Sequence, residues 1–165
     1  MTIGRFIGGV GALVWSPRLD KYLLLRRAAD KDFAGGIWEC VTGRVEQGEG
    51  FEDALLREVR EELGVEVELE FILGTTHFYR GATTPENELI GVVCLVSLDD
   101  PESIRVSSEH SEARWMSATE IFTLLDVDHA SSRWIRGVIE RAEALKELAS
   151  PAMRDYFRSR GMELG

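Results

Sequence analysis

Cysteine is scarce in this chain, with Cys40 and Cys94 the two examples in 165 residues. Each sits in an apolar stretch, and no C-x-x-C or Cys/His spacing accompanies them. That argues against a disulfide framework and a zinc site, and leaves two small buried hydrophobes as the expectation. Basic charge is also short: 19 Lys and Arg stand against 29 Asp and Glu, a formal net charge of −10. A surface this acidic argues against non-specific binding to a nucleic acid polymer or an acidic membrane. No apolar run reaches membrane-spanning length, and no charged-then-apolar leader opens the sequence. The default expectation is a cytoplasmic protein with no membrane partner. Repeats, low-complexity tracts and linkers are missing too, so residues 1–165 are read as a single domain.

What is present is a run of strand-like segments around one strongly patterned helix. Ile7 to Trp15 is apolar and reads as a buried strand, broken by Ser16-Pro17. Tyr22 to Arg26 reads as a second strand, paired with the first as a hairpin. Ala34 to Ile37 is expected to be a loop, Trp38 to Thr42 a short extended segment, and Gly43 to Gly50 a glycine-rich loop. Phe51 to Leu63 has helical periodicity, with Glu52 and Asp53 in the first turn and Gly64 placed as a left-handed cap. Val65 to Phe78, Leu89 to Leu98 and Arg114 to Met116 read as strands. Ala118 to Leu125, Ser132 to Leu148 and Pro151 to Arg160 read as helices. This order predicts an α/β fold, a mixed sheet between helices.

On a helical wheel with Glu58 at zero, Glu61 lies about 60° to one side and Glu62 about 40° to the other. The three carboxylates share a face beside the apolar stripe of Leu55, Leu56, Val59 and Leu63. Glu58 and Glu62 are a like-charged i, i+4 pair, costing roughly 0.2–0.5 kcal/mol even when exposed. A solvated acidic face is the bland reading of such a string. Clustered carboxylates beside a core are also what a hard cation such as Mg²⁺ selects, and the flanking residues favour that second reading. Arg57 lies on the acidic side, within reach of Glu49, and glycines bracket the helix.

Gly43 to Val65 reads GRVEQGEGFEDALLREVREELGV. This segment resembles the Nudix box, G-x5-E-x7-R-E-U-x-E-E-x-G-U, where U is a bulky aliphatic. Gly43, Glu49, Arg57, Glu58, Val59, Glu61, Glu62, Gly64 and Val65 fill every specified position. Trp38 shortly before the box and Ser108 to Glu120 after it extend the likeness. The resemblance implies a Nudix-type α/β/α sandwich with a mixed sheet and added C-terminal helices. It implies Mg²⁺ as cofactor, with Mn²⁺ as substitute, held by Glu58, Glu61, Glu62 and the carbonyl of Gly43. Arg57 and Glu49 would form an ion pair that orients the ligand helix.

The implied reaction is attack of water on a phosphorus of a diphosphate linkage. Glu61 and Glu62 share ligand and base duties in a way the sequence does not apportion. Glu109, six residues before Trp115, is the candidate acid outside the box for metal or base; Glu112 is its rival, and His110 is read as structural rather than phosphate-binding. Arg44, Arg26 and Arg27 are candidate phosphate partners, Arg44 the foremost. Phe33, Trp38, Phe78 and Tyr79 are candidates to stack a base. Val41-Thr42-Gly43 and Glu109-His110 resemble dihydroneopterin triphosphate pyrophosphatases, so a nucleoside or pterin triphosphate is the expected substrate. ADP-ribose, a nucleotide sugar and a dinucleoside polyphosphate are the alternatives. A non-catalytic nucleotide-sensing domain is the alternative of another class. The family also suggests a homodimer, and the amphipathic stretch Ser131 to Leu148 suits either core or dimer contact.

Overall fold

A computed structural model describes residues 4–29 and 35–164; Phe33 lies outside the described residues. The elements run β1 (Ile7–Ser16), β2 (Lys21–Arg27), β3 (Trp38–Glu39), β4 (Val41–Arg44), α1 (Phe51–Leu63), β5 (Glu68–Tyr79), β6 (Glu88–Ser97), β7 (His110–Met116), α2 (Ala118–Leu124), α3 (Ala130–Leu148) and α4 (Pro151–Arg160). The strands form one mixed sheet of order β3-β2-β1-β6-β5, with β4 on β1 and β7 on β2. β1 runs parallel to β6 along nine residue pairs, from Ile7↔Leu89 to Trp15↔Ser97. The other pairings are antiparallel.

The expected β1–β2 hairpin is narrow. Only Trp15↔Tyr22 and Ser16↔Lys21 pair, and then the strands part. β1 continues against β4, while β2 turns its edges to β3 and β7. This parting opens the sheet at the end where the box begins. Gly43 and Arg44, expected in a loop, are therefore strand residues, paired with Val10 and Gly9. Backbone pairing with β1 outweighs the local turn signal of the glycines. β7 likewise starts at His110 rather than Arg114, because its pairing with β2 extends to Arg27.

The two faces of the sheet carry separate cores. On one, Leu55, Val59 and Leu63 of α1 pack with Val10, Val41 and Val96. Burying each such side chain is worth about 1.5–3 kcal/mol relative to exposure. On the other, Ile135, Val138, Ile139 and Ala142 of α3 pack with Leu13, Leu24 and Leu95. The apolar face of α3 is thus core, which answers the choice left open for that stretch. Helices on both faces make the layering α/β/α, as expected. α4 is tied to β5 by Arg158, which donates to the fully buried carboxylate of Glu70. Both cysteines are buried and free, and among the described residues no helix is long and apolar enough to cross a membrane.

Candidate active site

Helix α1 ends as its sequence predicts. Gly64 has φ +68°, and its N–H donates to the carbonyl of Arg60 at 2.9 Å. Two further carbonyls at this end are satisfied from a distant segment: the N–H of Arg105 donates to Leu63 O at 2.7 Å and that of Ser107 to Glu62 O at 2.8 Å. Helix ends leave carbonyls without intrahelical donors. Here those carbonyls dock the segment leading to Glu109 and His110 beside the acids of α1.

Those acids sit in three environments. Glu62 belongs to the buried stripe of α1 with Leu55, Val59 and Leu63, and is 6% exposed. Glu58 is half-buried, and Glu61 is the most open. One guanidinium organises this face. Arg57 donates to both oxygens of Glu49, at 2.7 and 3.0 Å, to Glu58 at 2.9 Å, and to the carbonyl of Arg44 at 2.8 Å. It also approaches Glu61 at 3.4 Å. Arg57 holds the Glu49 carboxyl down at about 2.

Gly43 lies under Glu58: a Cβ there would fall 1.9 Å from its carboxyl carbon. The backbone N–H of Arg44 donates to Glu58 at 3.2 Å. A side chain at position 43 would fill the space between this backbone and the ligand helix.

The buried end of the acidic group is a second cluster. Glu39 accepts from Arg27 at 3.1 Å and from His110 Nε2 at 3.1 Å, and the same nitrogen lies 3.8 Å from Glu62 Oε2. Glu62 Oε2 and His110 Nδ1 are buried without a hydrogen-bond partner. Burial, and then the charges of Glu39, Glu58 and Glu109, push the Glu62 carboxyl up to about 9. A buried carboxylate oxygen with no donor, aimed among other acids, suits a cation. The oxygen-rich donor set therefore fits a hard divalent ion, with Glu58 and Glu62 on α1 and the Gly43 backbone against Glu58. Among the described residues no three acids, histidines or cysteines already converge as a closed cage, and Glu58 and Glu61 direct oxygens to Arg57 instead.

These groups open into a cleft of about 1120 Å³. Arg27, Arg44 and Arg80 line it with the acids of α1 and Glu109. Burial, and then repulsion from Arg44 and Arg27, push the Arg80 guanidinium below its ordinary range. The cleft continues over an apolar region containing Phe78, Tyr79, Leu89 and Trp134. Trp134 is fixed by its indole N–H, which donates to Thr76 at 3.1 Å.

The structure brings Gly43, Arg44, Arg57, Glu58, Glu61, Glu62, Trp38, Tyr79 and Glu109 to one cleft. Arg26 is not among its lining residues. Its side chain turns to the carbonyl of Gly36 and to Glu112, on the side of β2 opposite Arg27. Glu112, which pairs with Arg114 at 2.5 Å, is not among the lining residues either. Reading along the sequence missed Glu39, Arg80 and Trp134. Glu39 had a weak signal, as an acid inside an otherwise apolar extended segment; the other two had none.

The NUDIX domain family model matches residues 5–138. The chain belongs to the Nudix family. It is 34% identical over 112 residues to Nudix hydrolase 2 of Arabidopsis thaliana, covering 66% of this chain and 38% of that protein. It is 30% identical over 132 residues to an isopentenyl-diphosphate Delta-isomerase of Kocuria rhizophila, covering 77% of this chain and 72% of that protein. Among solved structures, a MutT protein of Methanosarcina mazei superposes with TM-score 0.70 at 24% identity, covering 89% of this chain and 99% of that one. The dihydroneopterin triphosphate pyrophosphohydrolase of E. coli superposes with TM-score 0.63 at 22% identity, covering 83% and 96%. Likeness at these identities concerns the fold.

Proposed function

We propose that this chain, read as one Nudix domain over residues 1–165, hydrolyses a diphosphate linkage in a nucleoside or pterin triphosphate. The observation that carries the reading is the buried, donor-free oxygen of Glu62 in a cleft whose lining also presents Arg27, Arg44 and Arg80. Acids hold a divalent ion, arginines take phosphate oxygens, and the apolar region under Trp134 takes a ring. Mg²⁺, or Mn²⁺ in its place, would be held by Glu58, Glu61, Glu62, Glu109 and the Gly43 carbonyl. Bound there, such an ion would supply positive charge against the phosphates and lower the pKa of a nearby water.

The remaining work falls to the chain's own groups. Arg57 keeps α1 in register with β4 by linking Glu49, Glu58 and the Arg44 carbonyl. Arg44 and Arg80 hold phosphate oxygens so that the scissile phosphorus faces the acids. Glu61, Glu62 or Glu109 accepts the proton of the attacking water. Trp38 and Tyr79 flank the ring. A homodimer is carried over from the family.

The test is release of phosphate or pyrophosphate in Mg²⁺ from a panel: nucleoside triphosphates, dihydroneopterin triphosphate, ADP-ribose, a nucleotide sugar, a dinucleoside polyphosphate and isopentenyl diphosphate. Triphosphates are expected to lead. Rearrangement of isopentenyl diphosphate without release of diphosphate would overturn the hydrolytic reading. Binding of a nucleotide with no turnover of any compound would point to a sensing domain.

A further inference from the structure

Glu39 and His110 fall outside the box, yet they define its buried end. Glu39 closes β3 and His110 opens β7, the strands on either edge of β2. Both are buried. The faces of the ring differ sharply. Nε2 meets two carboxylates, Glu39 at 3.1 Å and Glu62 at 3.8 Å, whereas Nδ1 meets no hydrogen-bond partner. The Glu39 oxygen that meets Nε2 already accepts from Arg27, so it acts as an acceptor and Nε2 carries the hydrogen. Nδ1, with no acceptor, is the bare nitrogen of the ring. One N–H is therefore available to two acids. Glu39 holds it, at a hydrogen-bonding distance, and Glu62 lies too far to share it. Arg27 donates to the same Glu39 oxygen at 3.1 Å and pins that acid in place.

We propose that Glu39 is a positioning residue for Glu62: by holding the single N–H of His110, it keeps the Glu62 carboxylate free to face a cation in the cleft. This rests on the metal-binding part of the reading above. It assigns a role to a buried acid that the box does not contain. Without an acceptor at position 39, the N–H of His110 would turn the 3.8 Å gap into a bond and compete with the cation for Glu62.

The test is Mn²⁺ binding to the full chain, read by electron paramagnetic resonance of the free ion, with no substrate present. Glu39→Leu, which has no acceptor, is expected to weaken binding by about tenfold, the scale on which outer partners of ligands act. In a His110→Ala background the same substitution is expected to change affinity by less than about twofold, since the competing donor is gone. An undiminished effect of Glu39→Leu in that background would mean that Glu39 acts by charge alone or as a ligand, and would overturn the proposal. So would wild-type affinity in Glu39→Leu.

A second measurement needs no variant. The ring ¹⁵N shifts of His110 in the unaltered chain should report a hydrogen on Nε2 and none on Nδ1; the opposite tautomer overturns the assignment. Failure of the unaltered chain to bind Mn²⁺ would bring down the metal reading itself. Binding that is indifferent to Glu39 brings down this inference alone.

Discussion

Arg57 grips Glu49 with two parallel hydrogen bonds, Nε to Oε1 at 2.7 Å and Nη2 to Oε2 at 3.0 Å. The same guanidinium reaches Glu58 and the carbonyl of Arg44, so one planar group fastens the loop before α1, the helix and β4 together. A lysine ammonium cannot reproduce that fork. Arg57→Lys should keep the fold and lower kcat by on the order of a hundredfold, the cost of a ligand helix displaced by about an ångström. Turnover within about twofold of the parent would remove Arg57 from the site.

Gly43 makes a steric prediction. A methyl group there would overlap the Glu58 carboxyl, at 1.9 Å from its carbon. The obstacle is a side chain, which can rotate away. Gly43→Ala should therefore fold, displace Glu58, and weaken Mn²⁺ binding by about tenfold or more. Titration with Mn²⁺ beside a thermal melt separates the two effects; unchanged affinity would show that Glu58 has room to spare.

Glu62 makes a prediction about pH. Its carboxyl is raised from 4.5 to about 9 by burial and neighbouring acids. A raised folded value means the unfolded chain releases this proton first. The stability contribution is complete below about 4.5 and is lost as pH climbs through about 9. In EDTA, the Tm should fall across that window more than in Glu62→Gln. Mg²⁺ should raise Tm, and more at pH 8 than at pH 6, because the ion replaces the proton. Parallel curves for parent and Glu62→Gln would contradict this.

Arg80 and Arg26 should behave oppositely. Arg80 lines the cleft; Arg26 turns to Gly36 and Glu112. A lost hydrogen bond to a charged group is worth about 1.5–3 kcal/mol. Arg80→Gln should raise KM about tenfold or more with kcat nearly kept, while Arg26→Gln stays near the parent. Equal effects would indicate that general charge, not position, attracts the substrate.

The acids outside the box divide in the same way. Glu109 lines the cleft, and Glu112 is engaged by Arg114 at 2.5 Å. Glu109→Gln should slow turnover by about a hundredfold if it accepts the proton, and Glu112→Gln should do little. The reverse order, measured as kcat in Mg²⁺, would transfer the role.

The fold was legible wherever local pattern and tertiary pairing agree. α1 spans Phe51–Leu63 as its periodicity predicts, because Gly64 stops it and the stripe of Leu55, Val59 and Leu63 has one face to bury. Gly43 and Arg44 read as loop because three glycines follow one another closely. They are strand because β1 supplies partners that no local window contains. Arg26 and Arg27 show the same limit at the scale of one residue. Adjacent strand residues face opposite ways, and which one meets the cleft is set by the elements stacked on each side of β2.

The sequence by itself determined the box, the helix that carries it and the family, since those depend on spacings within Gly43 to Val65 that a helix converts directly into a shared face. Tertiary structure alone decided how Glu62 is held. Glu39, Glu62 and His110 come from β3, α1 and β7, and their meeting depends on β2 pairing along both edges and on the carbonyls at the end of α1 capturing Arg105 and Ser107. A cluster assembled from three elements leaves no periodic trace in the chain. Its cost, a buried carboxylate oxygen with no donor, becomes visible only once the packing around it is known.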